Sequence, residues 1–259
     1  MNNKLTFTAR IILSAFFIFS ISACSHTRPA AISGTWSVAS DSGFAPRAWF
    51  TTSVVNGKIY TIGGFGDSLL STTVDVFDPA TNTWSTLATS GIFTPRASLA
   101  SAVLNDKIYV MGGMTGPETP DHMSNKLEVF DPSTNAWSTP ATTGTFTPRN
   151  NLCACVVGGK IYTIGGFNAS NDVNTFEVFD PATNTWSTPK TSGTFAPHGA
   201  FTAHVINGKI YTIGGFNNLA PKGHRVISEV SVFDPATNTW STLPTTGSFT
   251  ARLLHTSGV

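Results

Sequence analysis

Five residues carry the groups that acid–base work needs. Glu118, Asp121 and His122 stand in one glycine-led loop, His224 and Arg225 in another. A carboxylate or imidazole can move a proton, and a guanidinium grips a carboxylate with paired N–H donors. His122 and His224 each fall nine residues past the second glycine of a Gly-Gly pair. No third ligand accompanies them, so they fall short of a zinc site. Cys153 and Cys155 share one face of a strand, near the outer limit of disulfide spacing and poorly aimed. Their equivalents (Thr51, Ala100 and Thr202 for one, Ser53 and Ala102 for the other) mark them as small packing residues. A further column holds Arg47, Arg96, Arg149 and Arg252, with His198 in the fourth place. Two residues past each stand Trp49, Ser98, Asn151, Ala200 and Leu254. An exposed Trp49 beside arginines could stack on a sugar ring or an aromatic side chain. The plainer role for the arginines is to cap strand ends and bond loop carbonyls.

These residues hang on a unit written four times. Phe-Asp-Pro recurs at 77–79, 130–132, 179–181 and 233–235, each copy running on to Trp84, Trp137, Trp186 or Trp240. Ile-Tyr occurs at 59–60, 108–109, 161–162 and 210–211, ahead of glycine pairs ending at Gly64, Gly113, Gly166 and Gly215. In the first copy, Arg47 to Asn56 alternates small and apolar residues and predicts an inner strand. Lys58 to Ile62 is a second strand, Thr73 to Phe77 a third, and Trp84 opens a fourth after an Asp/Asn turn. Four antiparallel strands make a twisted blade with two faces to cover, and repetition about an axis covers both. Composition agrees. Only 11% of the 259 residues are charged, against 23 Gly, 15 Pro and a 41% hydrophobic share that includes six Trp. That balance excludes a coiled coil and an acidic disordered chain. A net charge of +1 without a basic run leaves no footprint for nucleic acid.

A period near fifty, with Gly-Gly, Tyr and Trp in fixed order, resembles the Kelch repeat. The likeness runs over everything after about residue 36, with repeats at about 47–88, 96–141, 149–190 and 198–244. It implies an all-β Kelch β-propeller of four complete four-stranded blades plus a partial fifth. The familiar propellers of this type have five to seven blades. Here the chain opens on an isolated Trp36 and ends within a fifth inner strand, Arg252 to Val259. Incomplete closure, or truncation of a larger propeller, is therefore expected. Tryptophan gaps of 48, 53, 49 and 54 put the length variation in the loop after Gly-Gly, short in copies one and three and long in two and four. Duplication of a two-blade unit accounts for this.

The resemblance also bears on function. Kelch relatives bind peptides or proteins on the face that carries these loops, which implicates Trp49, Arg47, Arg96, Ser98, Arg149, Asn151 and His198 here. A copper-radical oxidase of the galactose oxidase type needs free tyrosines, and all four tyrosines sit in the Ile-Tyr packing column. A sialic-acid mutarotase type is the enzymatic alternative, with Glu118, Asp121, His122, His224 and Arg225 supplying its groups. The expectation is a non-catalytic binding or scaffold module for a protein or glycan, with no cofactor, no metal and no nucleic acid.

The leading segment reads as an address. Lys4 and Arg10 precede Ile11 to Ile21, an apolar run too short to span a bilayer but suited to an export signal. It ends in Ile21-Ser22-Ala23-Cys24, which resembles the lipobox of bacterial lipoproteins. The resemblance implies a signal peptide at 1–23, a diacylglycerol thioether on Cys24, a tether at 24–35 and the propeller at 36–259. Ser25 in place of Asp favours the outer membrane, facing the periplasm or the cell surface. Several acyl chains on one residue make a stable anchor.

Overall fold

The computed structural model describes residues 43–117, 119–168, 174–196, 198–222, 224–244, 246 and 249–255. The signal segment, Cys24, the tether, Trp36, Glu118 and the last four residues lie outside the described residues.

Blade one contains β1 (Thr51–Val55), β2 (Lys58–Ile62), β3 (Val74–Asp78) and β4 (Thr83–Thr86). Blade two contains β5 (Ala100–Leu104), β6 (Lys107–Met111), β7 (Leu127–Asp131) and β8 (Ala136–Ser138). Blade three contains β9 (Cys153–Val157), β10 (Lys160–Ile164), β11 (Phe176–Asp180) and β12 (Thr185–Ser187). Blade four contains β13 (Thr202–Ile206), β14 (Lys209–Ile213), β15 (Val230–Asp234) and β16 (Thr239–Thr242). Each is a four-stranded antiparallel meander in chain order. The inner strand is shorter than the sequence alternation predicts. β1 begins only at Thr51, because Trp49 takes a left-handed φ of 58° that no strand can include.

Cross-strand pairs fix the register. Phe77 faces Trp84, and Phe130, Phe179 and Phe233 face Trp137, Trp186 and Trp240 in the same way. The turns between these strands use the Asp to accept a backbone N–H two residues on, as at Ala80, Ser133, Ala182 and Ala236. The same Asp meets the Lys that opens the second strand, at 3.0, 2.9, 2.6 and 2.8 Å in the four blades. Half-exposed lysines make these pairs weak contributors to stability. Hydrogen bonds from Ser133 and then Lys107 draw the Asp131 carboxyl down to about 2.

The core lies between blades. Tyr60, Ile62, Val74 and Val76 of blade one pack on Ile108, Val110, Phe130 and Trp137 of blade two. The arrangement repeats at the other two seams. Cys153 and Cys155 serve there as packing residues. Burial pushes both thiols up, Cys155 to about 12, so neither is a thiolate at neutral pH. Backbone bonds also cross each seam. The second glycine of every pair donates to the carbonyl of the next Arg or His, as Gly64 does to Arg96 at 2.9 Å. The following segment, Phe249–His255, continues that register on blade four through Gly215 N–H to Arg252 O, at 2.9 Å. Among the described residues it forms no strand, and no backbone hydrogen bond closes blade four on blade one.

Candidate functional site

The arginine column turns inward. Arg96 and Arg149 are fully buried, and the Arg47 side chain is 2% exposed. Arg149 Nη1 donates to Glu177 at 2.6 Å and to Thr147 O at 2.9 Å, its Nε donates to Gly165 O, and its Nη2 donates to Thr163 Oγ1. Arg96 repeats this set with Glu128, Thr94 O and Gly112 O. Arg47 pairs with Asp75, but that acid is one carbon shorter, and Arg47 Nε is left without a partner. Burial pulls the Arg96 and Arg149 guanidinium groups down, while the adjoining carboxylates push them back up. Each guanidinium also lies over the ring of its own segment's Phe44, Phe93 or Phe146, at 4.7 to 5.1 Å. Phe93 stacks on Trp137 of blade two, and Phe146 on Trp186 of blade three. Arg47, Arg96 and Arg149 are thus structural clamps, with their guanidinium groups buried away from solvent. His198, also buried, bonds Ala196 O and packs between Phe195 and Phe201. For Arg47, Arg96 and Arg149 the geometry favours the plainer role, because each guanidinium is paired with a carboxylate inside its seam, whereas Arg252 is exposed.

The position two residues on has one conformation in every copy. Trp49, Ser98, Asn151, Ala200 and Leu254 all take φ between 50° and 58°. Ser98 N–H donates to Trp49 O, Asn151 to Ser98, Ala200 to Asn151 and Leu254 to Ala200, at 2.8 to 3.0 Å. This ladder runs from blade to blade along the inner rim. Ser98 and Ala200 are buried in it, whereas Trp49 is 50% exposed.

The sequence reading missed a second ring. Phe65, Met114, Phe167 and Phe216, each directly after a glycine pair, bridge back to Ala48, Ala97, Asn150 and Gly199. The Phe65 ring lies 6.2 Å from Trp49, and Phe167 lies 6.4 Å from Phe216. A large apolar residue at a fixed place in a polar loop was the available signal. With exposed Leu69, Trp49 and Phe65 make an apolar corner on the loop face.

The acid–base candidates do not converge. Asp121 and His122 sit in the short 3₁₀ turn Pro120–His122, where His122 Nδ1 meets Thr119 Oγ1 at 2.7 Å. His224 and Arg225 lie two blades away, with Arg225 Nε reaching Ala220 O. The two histidines are also not equivalent. Thr115 N–H bonds His122 O, and the matching bond in blade four runs from Asn217 to Arg225 O. The extra residue of the blade-four loop moves His224 out of register. Among the described residues no group of three metal-ligating side chains exists.

Residues 50–259 match the KLHDC2/KLHL20/DRC7 Kelch-repeats domain. A stretch of 42 residues, 15% of this chain, is 48% identical to an F-box/kelch-repeat protein of Arabidopsis thaliana. That stretch spans only 12% of the relative's length.

Proposed function

From the premise that the chain belongs to the Kelch-repeat family, we propose that it is a non-catalytic binding module whose loop face captures a protein or a glycan at the corner of Trp49 and Phe65. Kelch repeats support a protein-binding or scaffold propeller in general. The observation that carries the finer reading is the cost of Trp49. A bulky residue at φ 58° costs about 1–2 kcal/mol, and half exposure recovers little of it by burial. Asn, which adopts this conformation readily, stands at the same place in Asn151. A strained, exposed aromatic has the properties of a ligand anchor.

Trp49→Asn is therefore expected to melt no lower than the wild type while losing about 1–3 kcal/mol of ligand affinity. Cross-linking in cells followed by titration of the captured partner measures the second quantity. A fall in stability with unchanged capture would overturn the assignment. The mutarotase alternative predicts accelerated anomer exchange of a reducing sugar by NMR, lost in Asp121, Glu118 or Arg225 variants. Asp121 and Arg225 lie on separate blades, which disfavours it.

The lipid anchor at Cys24 and placement at the outer membrane belong to the same proposal and rest on the Ile21-Ser22-Ala23-Cys24 run. A palmitate analogue fed to cells should label the wild type and not Cys24→Ala. Equal labelling of the two removes the anchor from the proposal.

A further inference from the structure

Blades two and four are the long-loop pair, and their backbone bonds align them residue by residue. Gly112 N–H bonds Lys126 O, and Gly214 N–H bonds Glu229 O. Lys126 and Glu229 are thus equivalent, as are Thr94 and Ala196, Arg96 and His198, and Glu128 and Ser231. In blade two the set is complete. Glu128 takes Arg96 and the Thr94 hydroxyl, and that hydroxyl takes the Lys126 ammonium at 2.6 Å. Blade four has exchanged every member. It keeps one carboxylate, that of Glu229, and has lost both cations. Oε1 of Glu229 accepts from Ser231 Oγ at 2.7 Å and Thr242 Oγ1 at 3.2 Å. In blade one the equivalent Thr86 donates to Asp75, which does hold its arginine. Among the described residues Glu229 has no ion pair.

Beside Glu229 a cleft of about 550 Å³ opens, lined also by Ala196, Asn217, His224, Val226 and Ala251. It lies where blade two carries the Lys126 chain and the Thr94 hydroxyl, both replaced here by smaller or opposite groups. The cations nearby are directed elsewhere. Arg225 Nε bonds Ala220 O, and Arg252 Nε bonds Thr250 O with its guanidinium over the Phe249 ring. We propose that this cleft is a subsite for a basic side chain of a bound protein, an ammonium or guanidinium supplying the positive charge that Lys126 and Arg96 supply internally in blade two. Two hydroxyl donors orient the carboxylate toward the incoming cation, and Asn217 and His224 wall the entry. The proposal rests on the binding-module reading and names the chemistry of part of its ligand.

N-acetyl-arginine amide serves as the probe, with the neutral citrulline amide as its isostere. Amide resonances of Glu229, Ser231 and Thr242 should shift saturably with the arginine probe and not with citrulline. Glu229→Gln should weaken the arginine probe about tenfold, and Glu229→Lys, which copies blade two, should abolish the shift. Glu229 is exposed, so both variants keep the fold. Equal shifts with citrulline, or undiminished binding in Glu229→Gln, would overturn the subsite. Trp49→Asn leaves this probe's binding intact if the subsite is real, so failure of the Trp49 corner and failure of the cleft are separate results.

Discussion

Arg149 and Glu177 pair inside a buried seam, and the sign of any change there depends on whether one partner or both are removed. Taking two charges out of water is costly, and the pair recovers that cost only through its full set of hydrogen bonds. Arg149→Met would leave Glu177 buried with only Thr147 to satisfy it, at an expected loss of about 3–5 kcal/mol. Arg149→Met with Glu177→Leu should cost far less, about 1 kcal/mol, since no charge stays stranded. Urea melts of the two single variants and the double variant test this, and additive losses would argue against a coupled pair. The fourth copy has already made the double change, to His198 and Ser231. Both columns stand in the sequence as plain text. Their pairing was not legible, because Arg and acid lie 28, 32 and 28 residues apart across loops of differing length.

Strand boundaries followed from apolar alternation and the glycine pairs, and the second strand in each blade falls on Lys-Ile-Tyr as the repeat implies. The start of the inner strand did not, since the left-handed residue two past each Arg has no fixed type. Linkers between blades raise a separate question of fit. Gly144 sits at φ 77° with the Trp186 carbonyl 2.1 Å from where a Cβ would stand. Gly158, at φ 56°, turns a hairpin with nothing within 4 Å of that point. Alanine at Gly158 is expected to cost about 1–2 kcal/mol, the left-handed penalty alone. At Gly144 it must also push the linker off the outer strand, breaking the Trp186 N–H bond to Thr143 O, for a total of about 4 kcal/mol. Thermal melts of the two alanine variants compare them directly. Equal losses would mean that the linker is not fitted to the outer strand.

As a whole the molecule is a row of nearest-neighbour seams, so its stability should vary with position along the row. Blades two and three are covered on both faces. In blade two the pair Met111 and Leu127 is 0% and 4% exposed. The equivalent pair in blade four, Ile213 and Val230, is only partly buried, and Ile206 is 39% exposed. At the other end Val54 of blade one is 62% exposed. The segment Phe249–His255 covers only the loop-side corner of blade four, through Arg252 and Leu254. Each side chain left half out of water forfeits a share of the burial free energy that a core residue contributes. The β14–β15 ladder should therefore open at a free energy about 2 kcal/mol below that of the β6–β7 ladder. Native-state hydrogen exchange resolves the two ladders amide by amide. The expected order is blade four first, then the β1 edge, then the interior seams. Equal protection of the Ile213–Val230 and Met111–Leu127 pairs would mean that the outer faces are covered in solution, and the molecule would then behave as a closed ring.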